Sequence, residues 1–322
     1  MKIVLISGAI YSVPSINFFG GQKMIQSIVS IGEPNKNNIP VEQSAVLFNI
    51  PFKRFLKNDL VTGFKDWLSV EQPDVVLVFG CGYKIPGELF TIPKLGFYNI
   101  HFSLLPAYRG RNPLFWQLKN GEPVGGITIH KMVEGFDAGP ILAQKEVQIF
   151  PGENHGLLSG RLSMESVAFI DQAIWKLEKE NSNELPEQDE KAVSHAPEPS
   201  VNDLRINWET QSAKEIENLV NATNPDYGGA ITLLRGQLFR LLEVSLADLP
   251  HDSAFAPGTI VHADVNYGVF VACKDSQFLR VNVTQSGEGI LSGFKLAGIG
   301  VAAGDRFDSA PDLSGIGIKL QL

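Results

Sequence analysis

Residues 74–80, Asp-Val-Val-Leu-Val-Phe-Gly, set five consecutive large apolar residues between an acid and a glycine. A strand apolar on both faces must be covered on both sides, the condition of a central strand in a parallel α/β sheet. Residues 2–7 form a shorter run of the same kind, and 96–101 and 126–130 read as further strands. Residues 59–70 and 112–120 read as helices, the second opened by Asn-Pro. Residues 12–31 carry apolar side chains at helix-like intervals and read as the helix that follows the first strand. The alternation predicts an α/β fold, a doubly wound, mostly parallel sheet. Ligands of such sheets lie beyond the carboxyl ends of the strands, where His101 and the loop after Phe79 fall.

A last helix is expected over residues 153–179, and then the composition changes. Residues 180–200 are rich in Glu, Asn, Ser and Pro, as a solvated linker is. Beyond a short helix over 213–224, strands are expected at 237–245, 258–262, 268–273 and 278–284, separated by Gly, Pro, Asp and Asn turns. These segments predict a small β-barrel-like (OB-like) domain. The expected organisation is a catalytic domain over 1–182, a linker over 183–204 and a β-rich domain over 205–322.

Bulk properties narrow the function. A length of 322 residues with 44% hydrophobic side chains is enough for two cores. The two cysteines, Cys81 and Cys273, are far apart, so neither a disulfide framework nor a thiolate metal site is supported. The apolar start at 1–7 is too short for a signal peptide and no window reaches the length of a membrane span, so a cytoplasmic protein is expected. The net charge of −8 is shared by residues 1–200 and 201–322, neither of which is basic, the opposite of a nucleic-acid binder's usual balance.

The chemistry concentrates in residues 99–106, Asn-Ile-His-Phe-Ser-Leu-Leu-Pro, then Tyr-Arg-Gly-Arg-Asn-Pro at 108–113 and a lone acid, Asp137, in Glu-Gly-Phe-Asp-Ala-Gly. Asn99, His101 and Asp137 supply a hydrogen-bond donor, a proton shuttle and an orienting anion, the set that acyl transfer to an amine requires. Taken singly, each has a plainer use: a buried Asn satisfying backbone groups, a structural His, an Asp in a turn. Ser103 reads as holding the loop after its strand, and Cys81 as a small filler rather than a nucleophile. Phe115-Trp116 reads as core. His130 and His155 have no partners at ligand spacing, so no metal is expected. Neither GxGxxG nor GxxxxGKS occurs, and a nucleotide reading lacks its phosphate cradle.

The chain resembles the 10-formyltetrahydrofolate-dependent formyltransferases over nearly its whole length, the methionyl-tRNA and sugar-amine members most. The family pattern Asn-x-His-x-Ser-Leu-Leu-Pro stands at Asn99 to Pro106, Arg-Gly-x-x-Pro at Arg109 to Pro113, and Gly-(Val/Ile)-Thr-(Ile/Leu)-x-x-Met at Gly126 to Met132, ahead of the acid Asp137. The tail resembles the family's C-terminal domain in Asp203 to Trp208, Asn221 to Pro225 and Pro257 to Ile260. The resemblance implies a formyltransferase Rossmann-like domain with 10-formyltetrahydrofolate as formyl donor. It implies Asn99 as donor to the developing oxyanion, and His101 and Asp137 as the proton-handling pair. It further implies a folate pocket formed by Cys81, Gly82, Tyr83, Lys84, Ile85, Leu104, Val133, Glu134 and Gly135. Arg109 and Arg111 either bind an anionic part of the acceptor or cap a neighbouring element.

The acceptor is a separate question. Methionyl-tRNA members of the family carry a long basic loop after the first βα unit, whereas residues 31–44 here hold one lysine against two glutamates. Phosphate contacts supply most of the affinity for tRNA. The expected acceptor is therefore a small or carrier-bound amine, an amino-sugar nucleotide or an amino acid derivative. A methionyl-tRNA formyltransferase with an atypical loop is the alternative, a non-catalytic folate-binding protein the least favoured.

Overall fold

The computed structural model describes residues 1–179, 185–250 and 254–314, which form two compact units. The first comprises residues 1–113, 124–148 and 159–196; the second 114–123, 149–158 and 197–322. In chain order the first unit runs β1 (Ile3–Ser7), α1 (Val13–Gly21), β2 (Ile25–Ile31), α2 (Ile39–Leu47), β3 (Phe52–Phe55), α3 (Gly63–Glu71), β4 (Val75–Phe79) and β5 (Phe97–His101). After α4 (Pro113–Lys119) come β6 (Val124–Lys131), β7 (Ile141–Gln148) and the long α5 (His155–Lys179).

The sheet order is β3-β2-β1-β4-β5-β6-β7. The strands from β3 through β5 pair in parallel, and β6 and β7 extend the sheet antiparallel. Alternation along β1 and β4 gives two buried faces. Val4, Ile6, Val76 and Val78 pack with Phe64 and Leu68 of α3. Ile3, Leu5, Leu77 and Phe79 turn to the other side, where Phe19 of α1 and Ile170 and Ile174 of α5 cover them. This is the doubly wound, mostly parallel sheet expected of the Val-rich strands.

Two local readings are corrected. Residues 12–31 are not one helix: α1 ends at Gly21 and 25–31 form β2, buried almost throughout. Ile25, Ile28 and Val29 mimic helical spacing because a strand covered on both faces needs no polar alternation. Nor are residues 31–44 a loop throughout, since Ile31 closes β2 and α2 begins at Ile39.

The second unit is led by α6 (Ala213–Thr223), followed by β8 (Ala230–Leu234), β9 (Gln237–Ala247), β10 (Ile260–Asp264), β11 (Gly268–Ala272), β12 (Phe278–Ser286), β13 (Gly289–Ser292), α7 (Gly293–Gly298) and β14 (Phe307–Asp308). Its antiparallel sheet runs β10-β11-β12-β9-β8-β14, with β13 on β12. Ser212 and Glu215 form a reciprocal capping box that starts α6. Trp208 lies fully buried, stacked on Phe307 with its indole N–H donating to Thr232.

The expected linker behaves differently along its length. Its first two residues, like the end of the preceding domain at 180–182, lie outside the described residues. Residues 186–196 are strapped to the first unit by backbone hydrogen bonds, among them Ile141 N to Pro186 O and Ala196 N to Arg109 O. Gln188 and Ala196 are buried there while most of the stretch stays exposed, so it is a solvated segment pinned at particular points. Residues 197–204 belong to the second unit, where the Lys119 ammonium donates to Asp203 and the Trp116 indole to the Pro197 carbonyl. No helix among the described residues is long and apolar enough to cross a membrane.

Candidate active site

Strand β5 changes character toward its carboxyl end. Phe97, Asn99 and His101 share one face by the two-residue period of a strand. Phe97 is buried in the apolar core, and the two polar residues continue the same face outward. Antiparallel pairing with β6 sets His130 directly opposite Asn99 and Thr128 opposite His101. Asp137 comes from the loop between β6 and β7, and Tyr108 to Gly110 from the loop after β5.

These groups converge on the Asp137 carboxylate. One oxygen accepts from the Asn99 amide at 3.0 Å and lies 3.3 Å from His130 Nε2. The other accepts from the Gly110 N–H at 2.9 Å and lies 3.6 Å from His101 Nδ1. Burial alone would raise the Asp137 pKa, but the two imidazoles and the Gly110 N–H outweigh it and hold the carboxyl well below the usual carboxylate range. Burial is also the largest influence on His101, pushing its imidazole down from the ordinary value against the opposing pull of Asp137 and the Tyr108 carbonyl.

The tautomers follow from the acceptors. His101 Nε2 lies 2.9 Å from the Tyr108 carbonyl oxygen, which can only accept, so Nε2 carries the hydrogen. Nδ1, facing Asp137, is then the nitrogen that gains and loses a proton. His130 is arranged the other way round: Nδ1 donates to the Lys131 carbonyl at 3.1 Å and Nε2 faces Asp137 and the Asn99 amide, each at 3.3 Å. The Asn99 amide thus points at a carboxylate and an imidazole, and must exchange one of these partners to serve a developing oxyanion.

His130 is the contributor that the sequence reading considered only as a metal ligand and set aside. Its signal is the register of an antiparallel pair, which no spacing along the chain reveals. Among the described residues no cluster of His, Cys, Asp and Glu with metal-holding geometry occurs.

Two loops flank the site. Residues 81–85 follow β4, and 133–135 precede Asp137; they approach where Glu134 packs at Gly87 and Lys84 Nζ sits 5.6 Å from the Phe136 ring centre. Tyr83, Val133 and Phe136 remain exposed between them. Ile85 faces away into the core, so only its backbone is available there. The Leu104 side chain lies over Gly126. Tyr83 packs on Gly32, at φ +93°, where any Cβ would meet the phenol ring. Burial pushes the Cys81 thiol up to about 11, against the Tyr83 carbonyl's opposing effect, which leaves no thiolate nucleophile at neutral pH.

The arginines part company. Arg109 is only 6% exposed and its guanidinium is spent internally, on Gln188 Oε1 through Nε and Nη2 and on the Glu190 carboxylate. It ties down a neighbouring segment, and its expected contact with an anionic acceptor group has no free donor face. Arg111 sits beside Gly82, on the rim of the first loop. Ser103 Oγ donates to the Ala107 carbonyl at 2.7 Å, holding the turn after β5.

Asn99 and His101 at the carboxyl end of β5 and Asp137 from the β6–β7 loop thus share one site on a sheet of this topology. Comparison with known proteins gives the family. Residues 28–174 match the family described as formyl transferase, and residues 200–295 its C-terminal domain. A methionyl-tRNA formyltransferase of Legionella pneumophila (strain Corby) is 30% identical over 88% of this chain and 84% of its own length. One from Thermodesulfovibrio yellowstonii is 36% identical, the match spanning 60% of each protein. Among solved structures, HypX from Aquifex aeolicus with tetrahydrofolic acid superposes with a TM-score of 0.63 at 18% identity over 92% of this chain, which spans about half (47%) of that one. The N-formyltransferase of Helicobacter canadensis, with folinic acid and dTDP-3-aminofucose, gives 0.64 at 15% identity over 87% and 98% of the two chains. The chain belongs to the 10-formyltetrahydrofolate-dependent formyltransferase family.

Proposed function

We propose that this protein moves the formyl group of 10-formyltetrahydrofolate to the primary amine of a small or carrier-bound acceptor. The observation that carries the transfer is the convergence of Asn99, His101 and the Gly110 N–H on a carboxylate held ionised in a buried setting. The folate supplies a formyl group on a nitrogen that can depart. The loops at 81–85 and 133–136 would hold its heterocycle, with Leu104 beside them.

Each residue then has a definite task. Asn99 turns its amide from Asp137 toward the formyl oxygen as charge develops there, a contact worth about 3–4 kcal/mol where such donors have been removed. His101, fixed through Nε2, takes the amine proton at Nδ1, and Asp137 stabilises the resulting imidazolium. His130 Nε2 is placed to accept from the Asn99 amide beside the carboxylate.

The favoured acceptor rests on charge. Glu42 of α2 pairs with Arg54 of β3 at 2.7 Å, and residues 31–44 hold the single Lys36 against Glu33 and Glu42. Residues 201–322 are acidic as well. A polyphosphate partner gains little from such a surface. The second reading, a methionyl-tRNA acceptor, is favoured by the Legionella relative, whose similarity runs through most of both chains. Formyl transfer assayed over amino-sugar nucleotides, amino acids, carrier-bound aminoacyl thioesters and charged initiator tRNA separates them. Turnover of a small or carrier-bound amine supports the first, turnover of tRNA alone the second, and inactivity with all of them overturns the transferase reading.

A further inference from the structure

We infer that Gln188 is a positioning residue that sets the catalytic carboxylate against His101 by clamping the two loops that carry their partners. This rests on the transferase reading. Gln188 lies in the strap that precedes Pro197, is 8% exposed, and uses every hydrogen-bonding group of its amide. Its Nε2 donates to the carbonyls of Asp137 at 2.8 Å and Gly139 at 2.7 Å, on the turn that presents the carboxylate. Its Oε1 accepts from Arg109 Nε at 3.0 Å and Nη2 at 2.9 Å, and Glu190 takes the outer edge of the same guanidinium.

Arg109 is flanked by the two residues that touch the site: Tyr108, whose carbonyl receives His101 Nε2–H, and Gly110, whose N–H donates to Asp137. One amide therefore joins the Asp137 turn to the loop that fixes His101. Both loops need an external hold, because Asp137 and Tyr108 are non-glycine residues in the left-handed region, at φ +49° and +61°. Such backbone persists only where its surroundings impose it. The rest of the strap reinforces the 108–112 loop, through Tyr108 N to Ser194 Oγ and Asn112 N to Ala196 O. Gln188 alone among these contacts reaches the Asp137 turn as well.

The two halves of the amide can be separated. Gln188→Glu keeps an acceptor for Arg109 and removes the donors to the Asp137 turn, whereas Gln188→Met removes both. The expected result is that kcat falls in each by up to about 10²-fold, the scale of a misplacement near 1 Å. Binding of 5-formyltetrahydrofolate by calorimetry and KM for the acceptor stay near wild type, while both variants melt lower because the Asp137 and Gly139 carbonyls lose their donor. Wild-type kcat in Gln188→Glu overturns the proposal, as does a loss confined to KM or one that only tracks melting temperature. Failure of the wild-type protein to formylate any acceptor of the panel is a different result, and sinks the parent reading instead.

Discussion

Replacing Asp137 by Asn removes one charge at nearly constant shape, and the structure allows the cost to be worked out. In the proposed transfer the lost partner is the imidazolium formed when His101 Nδ1 takes the amine proton, 3.6 Å from the carboxylate. A full charge pair at that distance, with an effective dielectric near 20, is worth about 5 kcal/mol. At 1.36 kcal/mol per decade this corresponds to a fall in kcat of roughly 10³- to 10⁴-fold. The amide also cannot serve all of the carboxylate's neighbours: with its NH2 toward Gly110 it opposes a backbone N–H, and turned round it opposes the Asn99 amide. The loss should therefore appear in turnover, with 5-formyltetrahydrofolate binding retained, since the loops at 81–85 and 133–135 are untouched. Steady-state transfer and calorimetry on the same preparation test this. A fall in kcat below about tenfold, with the fold intact, would refute a role for Asp137 in stabilising protonated His101.

Three further outcomes follow from individual contacts. Because the folded His101 pKa lies below its unfolded value near 6.5, the unfolded chain takes the proton first; its contribution to stability is present above about pH 6.5 and declines as pH falls toward the folded value. Asp137, also depressed, adds stability above about pH 4 that is lost only in stronger acid. Urea midpoints across this range should show His101→Gln less acid-sensitive than wild type; parallel curves would contradict the assignment. Ser15 is buried among apolar residues with no partner for its hydroxyl among the described residues, so Ser15→Ala should stabilise the protein by about 1 kcal/mol in denaturant titration, and destabilisation would contradict it. Gly110 sits at φ +126° with the Ala196 carbonyl oxygen 2.6 Å from any added Cβ, so Gly110→Ala should cost more than about 1 kcal/mol and lower kcat together. Unchanged melting and turnover would show that this loop yields freely.

Particular residues mark how far the chain could be read without its fold. The Val-rich strands, the long α5 and the β-rich tail were legible because burial on two faces, helical period and turn residues are local properties. Strand β7 was not anticipated: its polar Gln144, Lys145, Glu146 and Gln148 belong to the exposed outer strand of the sheet, where apolar pressure is weak. The strap at 186–196 has the composition of a linker, yet Gln188, Glu190 and Ser194 in it bind the loops at 108–110 and 137–139. Gln188 and Ser194 look solvated in sequence because polar groups do so whether water or a buried arginine receives them.

Taken alone, the sequence determined the α/β class of the first unit and the β-rich character of the second, and singled out Asn99, His101 and Asp137 as candidates for one site. Those follow from neighbours along the chain and from residue types that few other uses bring together. Tertiary structure decided the partners: that His130 stands opposite Asn99 across an antiparallel pair, that Arg109 is spent on Gln188 and Glu190, and that His101 is tethered through Nε2 so that Nδ1 faces the carboxylate. Hydrogen bonds and charge coupling act over a few ångströms of space, and residues 99, 130, 137 and 188 come within that range only once the sheet has paired and the strap has closed over it.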